Sequence, residues 1–206
     1  IEKLNEGKIP DLMALKVHNG TVYRWNRPCY GISDGKAHLR IENRVLPSGP
    51  TIVDEMANAA FWLGLMQGFN QSIEDVSKLM DFSDARSNFI GAAQIGIDKT
   101  FTWFEGQKIS AKDLIIEQLL PVAEQGLRRF KIDESDIKKY LGIIDERVSK
   151  GSTGSAWILK SYHELSSQAS EEEVFSAITS AIIKNQKDEK PVHEWDFATL
   201  DDLSDW

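Results

Sequence analysis

The chain has 206 residues, 41% apolar and 27% charged, which is ordinary globular usage and enough length to bury a core. Its net charge is −8 and its basic residues are scattered, so it lacks the electrostatic footprint of a nucleic-acid binder. With no apolar run as long as a membrane span, no signal peptide and a lone Cys29, the expectation is a cytoplasmic protein without membrane or nucleic-acid partners and without a disulfide framework.

Leu12 to Trp25 reads as two β-rich runs joined by Asn19-Gly20, a dipeptide suited to the two positive φ values of a type I′ turn, and predicts a hairpin. After a loop holding Pro28, Gly31 and Asp34-Gly35, the alternation from His38 to Leu46 predicts a strand stopped by Pro47 and paired antiparallel with the Val22 to Arg27 region. Thr51 to Phe69 is apolar nearly all round and predicts a helix buried on most sides, with Asp54 and Glu55 in the first turn where the helix dipole favours negative charge. Ser110 with Asp113 opens a helix over 111–130 that Pro121 should kink or divide. Ser135 precedes a helix ending at Gly151, and Ser170 with Glu173 forms a capping box ahead of Val174, Ile178 and Ile182.

Residues 184–206 are acidic, with little periodicity, and read as a tail or linker following a domain over 1–183. The predicted class is α+β: antiparallel strands near the N-terminus, then a mainly helical portion. So few strands make a poor sheet for so much helix, which leads to the expectation that partner strands precede Ile1 and that the chain is a fragment.

Side chains alternate along a strand, so His38, Arg40, Glu42 and Arg44 fall on one face and Leu39, Ile41 and Val45 on the other. Two cations flank one carboxylate at spacings of about 7 Å, close enough to grip a polyanion through guanidiniums and a metal. Such a row suits phosphoryl transfer, and it equally suits a solvated face with cross-strand ion pairs.

Trp25-Asn26-Arg27-Pro28, then Leu39-Arg40-Ile41-Glu42-Asn43-Arg44-Val45-Leu46-Pro47 and the helix opening Gly49-Pro50-Thr51, resemble the conserved core of the glutamate–cysteine ligase family, including its carboxylate–amine ligase branch. The segment Asn88 to Asp98 is similar to a further helix of that family. The resemblance implies the C-terminal part of a catalytic domain with a glutamine synthetase-like sheet, of a subgroup often followed by CBS modules. It implies ATP- and Mg²⁺-dependent joining of a glutamate-like carboxylate to an amine such as cysteine through an acyl phosphate. Carried over by position, Glu42 is a magnesium ligand, Arg44 a contact to the ATP phosphates or the acyl phosphate, and Arg27 and Arg40 hold carboxylate or phosphate, with Asn88 on the substrate side; His38 is a substrate-binding candidate near the phosphates by strand alternation alone, since it shares a face with Glu42. Pro47 stands where the family usually has Asp, and Gln94 where it usually has Arg, which puts the amino-acid substrate in question. A non-catalytic nucleotide-binding relative and a ligase acting on another amine are the alternatives.

His18, His163 and His193 have no companions at metal spacing and read as ordinary polar positions. Trp62, Trp103 and Trp157 lie among apolar residues and read as core, while Gly151-Ser152-Thr153-Gly154 reads as a cap between helices.

Overall fold

The computed structural model describes residues 2–22, 25–46 and 48–205 and divides into two compact units, 1–48 and 49–206. Among the described residues helices dominate, with two small antiparallel two-stranded sheets, so the class is α+β. No described helix is long and apolar enough to cross a membrane.

In the first unit, α1 (Glu2–Asn5) is followed by α2 (Met13–Thr21) where the sequence predicts strands and an Asn19-Gly20 turn. Met13, Ala14, Leu15 and Lys16 are good helix formers, and they carry the chain through Asn19-Gly20 to a last turn closed by Val22 N donating to His18 O at 2.9 Å. Tyr23 and Arg24 of the predicted pairing lie outside the described residues. The hairpin forms one step later. Strands β1 (Asn26–Ser33) and β2 (Lys36–Asn43) are joined by Asp34 and Gly35, whose φ values of 51° and 72° are those a type I′ turn demands.

The predicted strand is therefore present, but its partner is corrected from the Val22 region to Asn26–Ser33, with Arg27 opposite Glu42, Cys29 opposite Arg40 and Gly31 opposite His38. The other face of the hairpin carries Tyr30, Leu39 and Ile41, and Leu39 and Ile41 stand 69% and 71% exposed.

In the second unit, α3 (Ile52–Ser72) starts as predicted, the Thr51 side chain accepting from Asp54 N. Its burial is one-sided. Ala57, Gly64 and Gly68 are buried and Phe61 is half-buried, but Ile52, Met56, Leu63 and Met66 face water, which corrects the expectation of a helix covered on most sides. After α4 (Phe82–Ile95) and the short pair β3 (Thr100–Thr102) and β4 (Lys108–Ser110) comes α5 (Ala111–Asp113), capped by Ser110 as predicted. A π-helical stretch, Leu114–Leu119, leads into α6 (Leu120–Arg129). Pro121 has no N–H to donate and its ring crowds the carbonyl four residues back; the helix accommodates it by widening rather than breaking.

Helices α3 and α6 approach along small residues. A Cβ on Gly64 would meet Ala123 O at 2.5 Å, and one on Gly68 would meet Val122 O at 2.5 Å. Against this pair packs α7 (Glu134–Lys150), which starts after Asp133, two residues before Ser135, and is ended by Gly151 at φ 64°, as predicted. Ala123, Leu127, Ile137 and Leu141 form one core cluster, and Ala57, Ile143, Ile144 and Val148 another.

The third cluster joins α8 (Gly154–Leu165) and α9 (Glu171–Lys187) and corrects the reading of residues 184–206 as a tail or linker. The Ser170–Glu173 capping box is present, and α9 runs past the expected boundary to Lys187. Beyond it Val192, Trp195 and Ala198 are buried against Trp157, Val174, Ala177 and Ile178. Trp157 and Trp195 meet edge to face at 5.0 Å, Trp157 Nε1 donates to Asp196 O at 2.9 Å, and Ser161 Oγ accepts from Ala198 N at 3.2 Å. Glu189, Glu194 and Asp196 face water while Val192, Trp195 and Ala198, at every third residue, turn inward.

His193 lies in this folded-back segment with its side chain 5% exposed and Nδ1 buried without a hydrogen-bond partner among the described residues. Burial, helped by the charge of Lys150, holds its pKa below the ordinary 6.5, against the opposing pull of Glu194, Glu146 and Asp54. The unfolded chain then binds more protons than the folded one below that value, so stability falls as pH drops below 6.5. An acid titration followed by the fluorescence of Trp157 and Trp195 should show this loss, and His193→Gln should flatten it; an identical titration in the variant would exclude His193 as its source.

Candidate functional site

The polar face of the β1–β2 hairpin gathers the charged residues singled out in the sequence. Glu42 lies between two guanidiniums: Arg27 Nη2, from the opposite strand, is 2.5 Å from Oε2, and Arg44 Nε is 3.1 Å from Oε1. Cys29 Sγ stands 3.6 Å from the same Oε2. The Arg44 hydrogen bond is the largest influence on Glu42 and, with Arg27, holds its carboxyl below the usual carboxylate range against the opposing effect of burial. Burial pulls on Arg27 in the other direction, but its bonds to Glu42 and Cys29 outweigh that and its pKa rises. Arg27 Nε is buried with no hydrogen-bond partner among the described residues.

Arg40 points from the same face, opposite Cys29, and has no ion-pair partner among the described residues. His38 sets its ring over Gly31, with Nε2 3.3 Å from Ser33 Oγ. Arg27, Glu42 and Arg44 are thus in contact, and Arg40 and His38 lie two and four register positions further along.

Asn88, on α4, spends both ends of its amide on one backbone: Nδ2 donates to Thr102 O at 2.7 Å and Oδ1 accepts from Thr102 N at 3.0 Å. In this structure it ties β3 to α4. Gln94 is exposed on α4, and Pro47 lies outside the described residues.

The fit to magnesium fails on the residues described. Mg²⁺ demands near-octahedral oxygen coordination, whereas both oxygens of Glu42 already meet guanidiniums. Among the described residues no three His, Cys, Asp or Glu side chains are grouped to hold a metal ion.

Three features escaped the sequence reading. Lys16 and Asn19 of α2 help line a cavity of about 370 Å³ with Arg27, Cys29, Tyr30 and Arg40. They become visible as neighbours of the hairpin only once Met13–Thr21 is recognised as a helix. In the second unit a buried ion pair joins Asp54 Oδ1 to Arg147 Nη2 at 2.6 Å. A wider apolar groove of about 650 Å³, including Trp62, Met66, Phe69, Met80, Trp103 and Phe104, also opens in that unit.

No family model, no curated protein and no solved structure matches the chain.

Proposed function

We propose that the chain carries the phosphate-holding strand of an ATP-dependent carboxylate–amine ligase of glutamate–cysteine ligase type, the β1–β2 hairpin belonging to a glutamine synthetase-like sheet in a cytoplasmic enzyme. The observation that carries this reading is Glu42 held between Arg27 and Arg44 on one face of the hairpin, at the positions where the family resemblance demands charge.

The chemistry asks little else of a protein. ATP phosphorylates the substrate carboxylate, an amine displaces phosphate from the acyl phosphate, and no protein nucleophile takes part. What the enzyme supplies is position and fixed positive charge where negative charge develops. Arg44 and Arg27 offer planar forks suited to phosphate oxygens, and Glu42 acts as a positioning residue that holds both forks in place. Magnesium enters with ATP as the substrate complex, and no step is assigned to a metal held by the described residues.

The test is ADP release from MgATP with glutamate and an amine such as cysteine, using the protein expressed from its complete gene. Arg44→Lys keeps the charge but loses the fork, and should lower kcat/KM by about tenfold to a hundredfold, the worth of a charge-assisted bond. Glu42→Gln should lower it as well, by freeing the two guanidiniums. Unchanged activity in both would reduce the cluster to a solvated ion-pair face. Nucleotide binding without ADP release would replace the ligase by a non-catalytic relative.

A further inference from the structure

We infer that α3 carries a self-association face: a second copy of the chain packs along the exposed stripe of Ile52, Met56, Ala59, Leu63 and Met66, one helix against its twin. This stands apart from the ligase reading, which rests on the β1–β2 hairpin.

The stripe has the spacing that two like helices need. Its members recur at intervals of four, three, four and three residues, the period of about 3.5 that keeps an apolar seam turned toward a partner helix. Asp54, Ala57, Gly64 and Gly68 are buried within the chain, and at about 100° per residue they fall on the opposite side of α3. Ile52 stands 72% exposed, and Met56, Leu63 and Met66 lie between 49% and 54%. A row of large apolar side chains on one helix face is the kind of patch that marks an interaction site.

Charge selects the occupant. Residues 56–73 contain no Asp, Glu, Lys or Arg, although 27% of the chain is charged. An acidic or basic partner helix would find no counter-charge along this stretch. A helix lying on a membrane surface is rich in Lys and Arg on its polar face, whereas the charged residues that bound this run are Glu55 and Glu74. Two chains of net charge −8 repel one another, and an uncharged stripe lets them meet without setting like charges in contact. The shape is suited to its own copy as well. Leu63 and Met66 belong both to the stripe and to the apolar groove of about 650 Å³ that Trp62, Phe69 and Phe104 also line. The face thus offers a ridge and a groove side by side, which a two-fold contact uses reciprocally, and its methionines adapt to the fit.

Sedimentation equilibrium on the protein expressed from its complete gene tests the inference, and should show a monomer–dimer equilibrium. Leu63→Glu should raise the dissociation constant by about a hundredfold or more, because it sets like charges against each other across the contact. Leu63 is exposed, so the variant should fold, as circular dichroism would verify. Leu159→Glu on α8, at a residue 55% exposed and outside the stripe, should leave the constant unchanged. Mixing Leu63→Glu with Leu63→Lys should restore the dimer, since the two stripes then carry opposite charges. A wild-type protein that stays monomeric, a dimer indifferent to Leu63→Glu, or a mixture that does not reassociate overturns the inference. So does a Leu63→Glu monomer that melts far below the wild-type monomer, which would mean that the stripe is covered from within its own chain. Monomeric protein that binds phosphatidylcholine vesicles through Leu63 would assign the stripe to lipid instead. A monomeric protein that releases ADP would keep the ligase and discard this interface, and a Leu63-dependent dimer without ADP release would do the reverse.

Discussion

Gly126→Ala is expected to destabilise the protein by about 3 kcal/mol, the upper range for overpacking a close contact, which is roughly 6 to 12 °C of melting temperature for a chain of this size. The reason is what a Cβ at this position would meet. Its nearest neighbours are the carbonyl oxygen and carbon of Gly64 and, at 2.8 Å, the backbone nitrogen of Gly68. All three are backbone of α3, so no side chain can turn aside. The helices would have to move apart, and the cluster of Ala123, Leu127, Ile137 and Leu141 beneath them would open.

In an isolated helix the same change would be favourable, since alanine propagates helix better than glycine by about 1 kcal/mol. The sign of the effect therefore separates local propensity from tertiary contact. Gly142→Ala on α7 is the control: a Cβ there meets nothing within 4 Å, so that change should be neutral or stabilising. Thermal melts of the two variants decide the matter, and equal effects would remove the close α3–α6 approach as the cause.

Sequence reading succeeded where a signal is carried by neighbouring residues and failed where it depends on what lies across the fold. The Ser170–Glu173 capping box and the Gly151 stop are local devices, and both are present. The alternation around Glu42 is local too, and the strand is there. Asn19-Gly20 and Asp34-Gly35 are equally good type I′ dipeptides, however, and only their flanks differ. Met13 to Lys16 favour helix, so Asn19-Gly20 is absorbed into its final residues, and the turn forms at Asp34-Gly35. Choosing the wrong turn also hid the register that sets Arg27 against Glu42.

The burial of α3 was misjudged for a related reason. A helix apolar on every side shows which residues tolerate burial, not which side meets a neighbour. Small residues, Gly64 and Gly68 toward Gly126, decide where α6 docks, and Met56, Leu63 and Met66 are left outside. In residues 184–206 the acidic composition outweighed a usable signal, Val192, Trp195 and Ala198 at three-residue intervals, which is the apolar spacing of a packed segment.

Arg147→Met is expected to cost about 3 to 5 kcal/mol, the penalty for leaving one partner of a buried ion pair uncompensated. Asp54 has no exposed surface, and the Arg147 side chain is 12% exposed. One carboxylate oxygen takes Arg147 Nη2 at 2.6 Å; the other accepts from Thr51 Oγ1 at 2.8 Å and from Val192 N at 3.1 Å. Arg147 Nη1 also donates to Asn58 Oδ1 at 2.7 Å. Residues 93 and 138 positions apart in the chain are thereby joined, which is why nothing in the local pattern of Asp54 pointed beyond a helix dipole.

Methionine keeps much of the arginine stem but supplies no charge, so the variant strands an anion in the interior and loosens its hold on Val192. The loss should appear both in the melting temperature and in the fluorescence of Trp195, which follows Val192 into the core. Adding Asp54→Asn removes the stranded charge while keeping an acceptor for Val192 N. The double variant should therefore recover a substantial part of the stability lost by Arg147→Met alone, a coupling readable in a double-mutant cycle. A cost below about 1 kcal/mol for Arg147→Met would mean that the pair behaves as a screened surface contact. A full cost with no recovery in the double variant would assign the loss to packing of the arginine stem instead of to the charge of Asp54.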